Sequence, residues 1–295
     1  MKILITGASG LVGAALAEAA IESGHKVCSL YNSHPCTFGS AQQVDITDQA
    51  AVKRTFNASR AEVVFHTASI TDVDLCEKNP QLAMKVNGEA TGYISAACQE
   101  IGSYLIYLST DYVFNGESGH YSEDDKPAPI NVYGRSKLAG EEEMARHHSD
   151  GCVARTSVVY GWGRSHRPNF AAWVHSKLAA NEPVKVVTDQ FASPTLNTHL
   201  ARMLLEVAER RITGVLHVAG SSRISRYEFA IMLAKQFGFK ESLVSPIQAD
   251  ATVWNARRPR DSSLNVTKAQ GVLSCKPVAL GEALKEFAKG HQRNK

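Results

Sequence analysis

The stretch T-G-A-S-G-L-V-G at residues 6–13 decides the fold that we predict for this chain. It follows an apolar, β-branched run at residues 2–6 and opens a helical pattern rich in alanine and leucine. A strand that turns sharply into a helix needs residues without Cβ where the backbone turns, where a pyrophosphate approaches and where helix meets strand. The first amides of the helix and its dipole then favour a phosphate. Gly7, Gly10 and Gly13 therefore predict a dinucleotide-binding turn.

The first half of the chain alternates strand patterns with helical ones. Its apolar, β-branched runs are mostly unbroken, which is typical of strands buried on both faces of a parallel sheet. The predicted strands are residues 2–6, 26–30, 62–66, 104–109 and 153–159, and the predicted crossover helices are residues 11–23, 49–57, 80–101 and 132–148. This order predicts an α/β fold with a doubly wound parallel sheet, the Rossmann arrangement.

Beyond Gly161 the pattern loosens and becomes rich in helix. Helical segments are predicted near residues 171–180, 196–210, 226–237 and 279–288. We therefore predict a dinucleotide-binding domain at residues 1–161. A smaller, mainly substrate-binding region is predicted at residues 162–295, with some of its later segments returning to the Rossmann core.

Composition and charge exclude several classes of protein. The chain has 295 residues, of which 44% are hydrophobic and 21% charged, and these are the values of a folded globular protein. A net charge of +3 does not suggest binding to nucleic acid or to a membrane surface. The six cysteines form no C-x-x-C pair, so we expect no zinc site and no disulfide framework, and a cytoplasmic location fits best. Glycines interrupt the apolar N-terminus, so we do not interpret it as a secretory signal, and no apolar run approaches the roughly 20 residues of a membrane span.

The residues after the second predicted strand bear on which cofactor binds. An acidic residue about 20 positions after the glycine turn favours a free ribose 2′-hydroxyl. This chain has Y-N-S-H at residues 31–34, which carries no negative charge to repel a 2′-phosphate, so we predict NADPH, with NADH as the alternative. Asp45 follows a short strand and could accept a hydrogen bond from the adenine amino group. Thr47 or Asp48 could instead cap the helix that follows.

The chemistry is predicted at S-T-D-Y-V-F, residues 109–114, and at Y-G-R-S-K, residues 133–137. Tyr133 and Lys137 are four residues apart, which places both side chains on one face of a helix. A phenol near its reference pKa of about 10 is a poor acid–base catalyst at neutral pH, but a neighbouring ammonium lowers that pKa. Thr110 ends a strand, where its hydroxyl could bond the same substrate oxygen. A Y-x-x-x-K pair alone usually marks a solvated helix face, and the glycine turn and Thr110 together favour the catalytic interpretation.

Several segments, in order along nearly the whole chain, resemble the extended short-chain dehydrogenases/reductases, and within them the dTDP-4-dehydrorhamnose reductases. Besides the motifs above, they are V-N at residues 86–87, N-V-Y-G-R-S-K at 131–137, R-T-S-V-V-Y-G at 155–161, D-Q-F-A-S-P-T at 189–195 and R-P-R-D-S-S-L at 258–264. The resemblance implies an oxidoreductase that passes hydride from NAD(P)H to the C4 ketone of a nucleotide-linked 6-deoxysugar, without a metal. It implies Tyr133 as proton donor, Lys137 as ribose ligand and activator of Tyr133, and Thr110 as a hydrogen-bond partner of the substrate.

The resemblance also implies two sets of contacts. The cofactor-binding set is Gly7, Ser9, Gly10, Leu11, Val12, Gly13, Asn32, Ser33, Asp45, Ile46, Thr67, Ala68, Ser69, Asn87, Tyr133 and Lys137. The substrate-binding set is Asp111, Val113, Phe114, Gln190, Phe191, Arg258 and Arg260, in which the aromatic surface suits a base and the arginines suit a diphosphate. The expected partner is a nucleotide-sugar, with no nucleic acid and no membrane, and the expected state is a monomer or a homodimer.

Two departures from the family pattern bear on these contacts. The relatives commonly have Asn-Ala-Ala after the fourth strand, where this chain has His66-Thr67-Ala68, so cofactor contacts there are expected through backbone atoms. They usually have Asn in the late R-P-x-N-S segment, where this chain has Asp261. This substitution predicts an extra negative charge near the substrate diphosphate.

The same resemblance offers alternatives to a reductase, namely an epimerase or a 4,6-dehydratase of the family, or a non-catalytic binding subunit. A 4,6-dehydratase of the family carries Asp-Glu after the active-site threonine, whereas Asp111-Tyr112 follows here, which disfavours water elimination. A non-catalytic NADP-binding regulatory subunit is the alternative of another class, because the β subunit of methionine adenosyltransferase resembles the same reductases. An intact Thr110, Tyr133 and Lys137 does not exclude it, since a binding subunit can keep side chains that contact the cofactor.

Overall fold

A computed structural model of the chain describes residues 1–163, 168–252 and 254–293. The strands are β1 Lys2–Thr6, β2 Lys26–Tyr31, β3 Ser40–Gln43, β4 Val63–His66, β5 Tyr104–Thr110, β6 Gly151–Thr156, β7 Val159–Tyr160, β8 Val184–Val187, β9 Phe191–Ala192, β10 Thr195–Leu196, β11 Gly214–His217, β12 Ile224–Ser225 and β13 Val244–Ile247. The helices are α1 Leu11–Glu22, α2 Gln49–Ser59, α3 Val73–Lys78, α4 Pro80–Ala83, α5 Ala90–Ile101, α6 Val132–His147, α7 Phe170–Ala179, α8 Asn197–Glu209, α9 Arg226–Phe237, α10 Thr267–Val272 and α11 Leu280–Arg293. A π-helical turn, Met84–Glu89, joins α4 to α5, and short 3₁₀ turns lie at Asp111–Val113, Glu241–Leu243 and Ala249–Ala251.

Seven parallel strands form the central sheet in the order β3-β2-β1-β4-β5-β6-β11. The strand order reverses between β1 and β4, as in doubly wound proteins, and the predicted fold class is confirmed. β1 lies in the middle, with Thr6 paired to Leu30 on one side and to His66 on the other. The carboxyl ends of β1, β4 and β5 therefore meet where such sheets bind their ligands.

Some elements differ from the predicted ones for local reasons. The strand predicted at residues 153–159 ends at Thr156, because Val158 has a positive φ of 41° and separates β6 from β7. The helix predicted at residues 80–101 contains the π-helical turn, a feature that often accompanies functional sites. β3 corresponds to the short strand predicted before Asp45, but its bounds were not predicted, since its sequence S-A-Q-Q is exposed throughout and gives no pattern of burial.

The second region contributes to both halves of the molecule. β11 hydrogen-bonds to β6 and extends the central sheet. α8 places Leu200 in the same core as Leu16 of α1. α7, α9 and α11 instead surround a second core, in which the ring of Tyr160 meets Phe229 and Phe287 edge-on. One part of the second region thus belongs to the sheet, and the other part has a core of its own.

The three glycines of the first turn have different surroundings. Gly7 has a φ of +69°, and a Cβ added there would lie 2.7 Å from the Cα of Ala68. A Cβ added at Gly13 would lie 2.3 Å from the carbonyl oxygen of Gly7. At Gly10 the same atom would meet only that oxygen, at 3.2 Å, and would otherwise face open space. Gly7 and Gly13 are therefore required by packing, whereas Gly10 leaves room above the start of α1.

Membrane, metal and redox features are few in the described ranges 1–163, 168–252 and 254–293. No helix there is long and apolar enough to cross a bilayer. No group of three or more His, Cys, Asp or Glu side chains there is placed to hold a metal ion. All six cysteines are free thiols.

The glycine turn yields a prediction about stability. Alanine in place of a helical glycine ordinarily stabilises by about 1 kcal/mol. We expect Gly13→Ala to lower the free energy of unfolding by roughly 1–3 kcal/mol instead, because its Cβ must displace backbone. Gly10→Ala, the matched control, should change it by less than about 1 kcal/mol, as an altered helix cap does. Urea denaturation followed by circular dichroism measures both, and a Gly13→Ala protein as stable as the parent would contradict the packing argument.

Candidate active site

A cavity of about 460 Å³, here cavity 1, opens between the glycine turn, the end of β5 and the start of α6. It brings together Thr110, Tyr133 and Lys137, the three predicted catalytic residues. Of the predicted cofactor contacts it is lined by Gly7, Gly10, Leu11, Val12, Gly13, Thr67 and Ser69 in addition to Tyr133 and Lys137. The glycine turn and the chemical residues, about 100 positions apart in sequence, therefore face one space.

The remaining predicted cofactor contacts lie outside this lining. Asn32 and Ser33 are exposed beyond the end of β2, and Ser9 is partly buried within the turn. Asp45 is exposed and accepts from the backbone N–H and hydroxyl of Thr47 at 2.8 Å each. Three others are Ile46, a core side chain beside α2, Ala68, whose backbone lies against Gly7, and Asn87, which is fully buried.

The helix cap after β3 is Asp48, one of the two residues considered for that role. Its carboxylate accepts from the N–H of Ala51 at 3.0 Å and begins α2. Thr47 bonds Asp45 instead. Asp48 therefore caps α2, while the carboxylate of Asp45 bonds Thr47 in the same turn.

Asn87 holds a wall of cavity 1 in place from behind. Its side chain exchanges hydrogen bonds with both backbone groups of Ile70, at 2.8 Å and 3.0 Å. Its amide also donates to the hydroxyl of Ser136 on α6 at 2.9 Å. The loop that carries Thr67 and Ser69 is thereby fixed to the helix that carries the predicted catalytic pair. Asn87, in the π-helical turn, is thus a positioning residue in this structure.

Lys137 is an almost fully buried cation. The residue is 2% exposed, and its Nζ lies 4.1 Å from the ring centroid of Tyr107. Within the part of the chain that the structure describes, no protein acceptor hydrogen-bonds Nζ. Burial lowers the pKa of Lys137 to about 7, although the charge of Glu141 raises it. The ammonium is thus held ready for a ligand that supplies acceptors.

Tyr133 keeps its proton in the protein without ligands. Burial raises the pKa of its phenol well above 10, and the hydroxyl of Thr110 opposes that shift. The expected lowering of this pKa is therefore wrong for the protein without ligands, because burial dominates and raises it. A protonated phenol is nevertheless the form that a proton donor requires.

Hydrogen-bond directions around Thr110 can be assigned. Its hydroxyl donates to Oδ1 of Asp111 at 3.0 Å and accepts from the N–H of Tyr112 at 3.2 Å. A hydroxyl has only one proton, which Thr110 can give either to Asp111 or to a phenolate at Tyr133, and only the second direction lowers the pKa of Tyr133. Thr110 is thus placed to stabilise the phenolate that proton transfer leaves.

Asp111 joins three segments of the chain beneath this site. Its Oδ2 accepts from Ser157 at 2.7 Å and from Ser262 at 2.5 Å, while Oδ1 accepts from Thr110. Burial raises the pKa of Asp111, and these hydroxyl donors oppose the shift. Asp111 lines cavity 1 as predicted for a substrate contact, but both of its oxygens already have donors.

The other two substrate contacts predicted in this motif point elsewhere. Val113 and Phe114 are fully buried in a small core cluster. The Phe114 ring stacks on Tyr121 at a centroid distance of 4.2 Å. Their side chains line neither cavity, since the 3₁₀ turn after Thr110 directs them into the core.

Behind Lys137 lies a buried ion pair. Glu141, one turn further along α6, accepts from Arg155 of β6 at 3.0 Å and 2.7 Å in a two-point contact, and from Ser109 at 2.5 Å. Both charged side chains are less than 10% exposed. The pair therefore joins α6 to the sheet and places a balanced negative charge below the ammonium.

His66 is a neutral core residue rather than a wall of the cavity. Burial, and to a lesser extent the charge of Lys137, lower its pKa to about 3. Thr91 gives its proton to the carbonyl of Asn87, so it must accept from Nε2–H of His66 at 3.0 Å, and Thr6 then donates to Nδ1 at 2.8 Å. The neutral ring places no second positive charge beside the ammonium.

A second cavity of about 380 Å³, here cavity 2, adjoins the first. Its aromatic walls are Phe170, Trp173 and Trp254, and the predicted contacts Gln190 and Arg258 line it. Tyr112 and Arg226 line both cavities. Five of these side chains, Tyr112, Phe170, Trp173, Arg226 and Trp254, are not among the predicted contacts. Four of them lie in no recognised motif, and Tyr112 lies inside the predicted S-T-D-Y-V-F motif without having been given a role.

Two predicted substrate contacts, Phe191 and Arg260, line neither cavity. The Phe191 ring lies 4.1 Å from the guanidinium of Arg223, and Arg260 is exposed. Asp261 pairs with the same Arg223 at 2.7 Å and accepts from Ser263. The negative charge that Asp261 adds is therefore paired with Arg223 in this structure.

Comparison with known proteins agrees with this geometry. The family model described as RmlD substrate binding domain matches residues 1–293. The chain is 38% identical over 289 residues to the probable low-salt glycan biosynthesis reductase Agl14 of Haloferax volcanii, covering 96% of each chain. It is 36% identical over 261 residues to the dTDP-4-dehydrorhamnose reductase of Mycolicibacterium smegmatis, covering 88% of this chain and 76% of that one. It is 30% identical over 294 residues to methionine adenosyltransferase 2 subunit beta of Pongo abelii, covering 95% and 85%.

Solved structures give the same likeness. A hypothetical dTDP-4-dehydrorhamnose reductase from Sulfolobus tokodaii has a TM-score of 0.86 at 36% identity and covers 95% of this chain and 97% of its own. The dTDP-4-dehydrorhamnose reductase of Bacillus anthracis, solved in complex with NADP, has a TM-score of 0.87 at 30% identity and covers 98% and 99%. MoeE5 in complex with UDP-glucuronic acid and NAD has a TM-score of 0.82 at 25% identity and covers all of both chains.

The buried ion pair yields a prediction about stability. We expect Glu141→Gln to lower the free energy of unfolding by about 3–5 kcal/mol, because it leaves the Arg155 guanidinium buried without its counter-charge. Glu143→Gln removes a carboxylate from an exposed pair with Arg146 on the same helix and should change stability by less than about 1 kcal/mol. Chemical denaturation measures both. The double variant Glu141→Leu/Arg155→Met should recover most of the loss, and equal effects of the two glutamate substitutions would contradict the assignment.

Proposed function

Because the chain belongs to the RmlD substrate binding domain family, a family of sugar-nucleotide reductases, we propose that it reduces the C4 ketone of a nucleotide-linked 6-deoxysugar, with dTDP-4-dehydrorhamnose converted to dTDP-rhamnose as the leading reaction. The observation that carries the proposal is the meeting of Thr110, Tyr133 and Lys137 with the glycine turn in one cavity. The identity to a glycan biosynthesis reductase supports the same class of substrate.

The residues of cavity 1 fit a dinucleotide. Gly10 lacks a side chain where cavity 1 meets the first turn of α1, and a Cβ there would point into free space. The α1 helix begins without a side-chain cap, so its first amides are available to a pyrophosphate. The Lys137 ammonium, which has no protein acceptor in the described ranges, suits ribose hydroxyls. Gly10, the start of α1 and Lys137 would therefore hold the cofactor along the cavity.

We propose NADPH as the cofactor, with NADH as the alternative. The exposed residues Asn32 and Ser33 after β2 carry no carboxylate to repel a 2′-phosphate. The relative from Bacillus anthracis was solved with NADP, whereas MoeE5 was solved with NAD. Paired titrations with NADPH and NADH test the preference.

The bound cofactor supplies hydride to the ketone carbon. Tyr133, protonated because it is buried, donates its proton to the oxygen that acquires alkoxide character. Once the phenol has given up its proton, the hydroxyl of Thr110 can turn from Asp111 and donate to the phenolate. Lys137 stabilises the phenolate that remains, and burial then favours the return of a proton to it.

The alternative is a non-catalytic NADP-binding regulatory subunit. The observation that favours it is the 30% identity to methionine adenosyltransferase 2 subunit beta over 95% of this chain. A complete proton-donor geometry supports the reductase instead. Loss of NADPH absorbance with a dTDP-4-keto-6-deoxyhexose would support catalysis. Tight NADPH binding without turnover, together with co-purification of a methionine adenosyltransferase, would support the alternative.

The proton donor can be tested by a change of one atom. Tyr133→Phe keeps the ring and its packing but removes the phenolic proton, so kcat should fall roughly 10²- to 10⁴-fold while the Kd for NADPH stays nearly constant. Lys137→Met should lower kcat and also raise the Kd for NADPH, because the ammonium contacts the ribose as well as the phenol. Steady-state kinetics and cofactor titration measure the two effects. A Tyr133→Phe enzyme with the parental kcat would refute the catalytic assignment.

The cofactor turn can be tested at Gly10. Gly10→Val places a branched side chain in the open space at the start of α1, so the Kd for NADPH should rise at least about tenfold while the fold persists. Calorimetric titration measures the affinity, and circular dichroism with thermal melting checks the fold. Gly24→Ala is a control with no neighbour within 4 Å, and although strained by its φ of +79° it should leave NADPH binding unchanged. Unchanged affinity in Gly10→Val would place the pyrophosphate elsewhere.

A further inference from the structure

We propose that Arg226 binds the diphosphate of a nucleotide-linked substrate at the junction of the two cavities, a role that rests on the proposed function and extends it to a residue outside every predicted contact. Only Tyr112 and Arg226 line both cavities among the described residues. In a nucleotide-sugar the diphosphate lies between the sugar and the base. A ligand whose ketone reaches Tyr133 in cavity 1 and whose base lies among aromatic rings in cavity 2 therefore places its two negative charges at this junction.

Cavity 2 has the character of a base site. Phe170, Trp173 and Trp254 give it flat apolar surface, and Gln190 contributes a buried amide. Aromatic rings pack well against the face of a heterocycle, and an amide can bond its edge. Cavity 1 already holds the proton donor. The proton donor thus assigns the sugar to cavity 1, and the aromatic rings assign the base to cavity 2. The diphosphate, which joins sugar and base, then lies between the two cavities.

The guanidinium of Arg226 has no carboxylate within ion-pair distance in the described ranges. Burial lowers the pKa of Arg226, and the nearby Tyr112 and Asp111 oppose that shift. The oxygens of Asp111 are occupied by three hydroxyl donors. The guanidinium contacts the hydroxyl of Tyr112 and lies over the ring of Phe170, 4.9 Å from its centroid. A cation in such surroundings is ordinarily matched by an anion, and a diphosphate supplies one.

The neighbouring arginines are already engaged. Arg258, the predicted diphosphate ligand, forms an ion pair with Asp74 at 2.8 Å and donates to the carbonyl of Ala256. Arg223 is paired with Asp261. Arg260 is exposed outside both cavities. Among these residues only Arg226 has both the position and an unpaired charge.

The backbone around Arg226 fixes the side chain and is not itself the anion site. The N–H of Arg226 donates to the carbonyl of Gln190 at 3.1 Å. Ser225 caps α9 by accepting from the N–H of Glu228, whose carboxylate accepts from Ser225 in return. The N–H groups of Arg226 and Glu228 are therefore occupied, and the guanidinium is the charged group that can meet a ligand.

The test is calorimetric titration of the NADPH-saturated protein with dTDP, and with thymidine as the probe that lacks phosphate. Arg226→Met should raise the Kd for dTDP about 10- to 100-fold, the loss expected for a charge-assisted contact, and leave the Kd for thymidine and for NADPH unchanged. Arg226→Lys, which keeps the charge but not the planar fork, should lie between parent and Arg226→Met. Lys235→Met removes a positive charge from the exposed side of the same helix and should behave as the parent.

The outcomes separate this inference from the proposed function. Parental dTDP affinity in a folded Arg226→Met protein, or absence of dTDP binding by the parent, would overturn the role of Arg226. If the parent binds dTDP through Arg226 but reduces no nucleotide-linked ketone, the binding role stands and the reductase proposal fails. If the parent reduces the ketone and Arg226→Met keeps its KM for the nucleotide-sugar, only the role of Arg226 fails.

Discussion

Much of the site follows from one constraint, the burial of the Lys137 ammonium without a protein acceptor in the described chain. Removing a cation from water is costly, and the lowered pKa of Lys137 expresses that cost. The face of Tyr107 and the carboxylate of Glu141 offset part of it. Glu141 in turn requires Arg155, because a buried carboxylate without a counter-charge would itself be destabilising. His66 stays neutral beside them. Side chains of α6, β5 and β6 therefore all contribute to accommodating the one ammonium of Lys137.

The parts of the molecule that sequence predicts well are those in which the determinant is local. Gly7 has a positive φ and Gly13 packs against a carbonyl oxygen, so both positions need glycine and their spacing can be recognised in the sequence. Tyr133 and Lys137 share a face because α6 is regular. Arg226 gives no such signal, since it lies 93 positions beyond Tyr133 and becomes adjacent only when α9 packs at the end of the sheet. The bounds of β3 are hard to predict from sequence for another reason. This strand is exposed and forms by pairing with β2, not by burial, so its residues show no apolar pattern.

The R-P-R-D-S-S-L segment shows that a motif can be recognised from sequence while the partners of its charged side chains cannot. Ser262 donates to Asp111, Asp261 pairs with Arg223, and Arg258 pairs with Asp74. Each contact crosses from this late segment to another part of the chain. The segment therefore links Asp111, which lines cavity 1, to Arg258, which lines cavity 2. Of its seven residues, only Arg258 lines either cavity. A resemblance transfers positions in the sequence, whereas the partner of each charge depends on the surrounding side chains.

The direction of protons favours reduction over elimination at this site. Elimination of water needs an acid and a base that can both exchange protons with the substrate. Asp111 is the only carboxylate lining cavity 1 in the described ranges, and its two oxygens accept from Thr110, Ser157 and Ser262. While the phenol is protonated, Thr110 gives its proton to Asp111, so Tyr133 is left as the group with a proton to give. One donor beside one buried cation is what a ketone requires as it becomes an alcohol, because hydride transfer adds a single negative charge to a single oxygen.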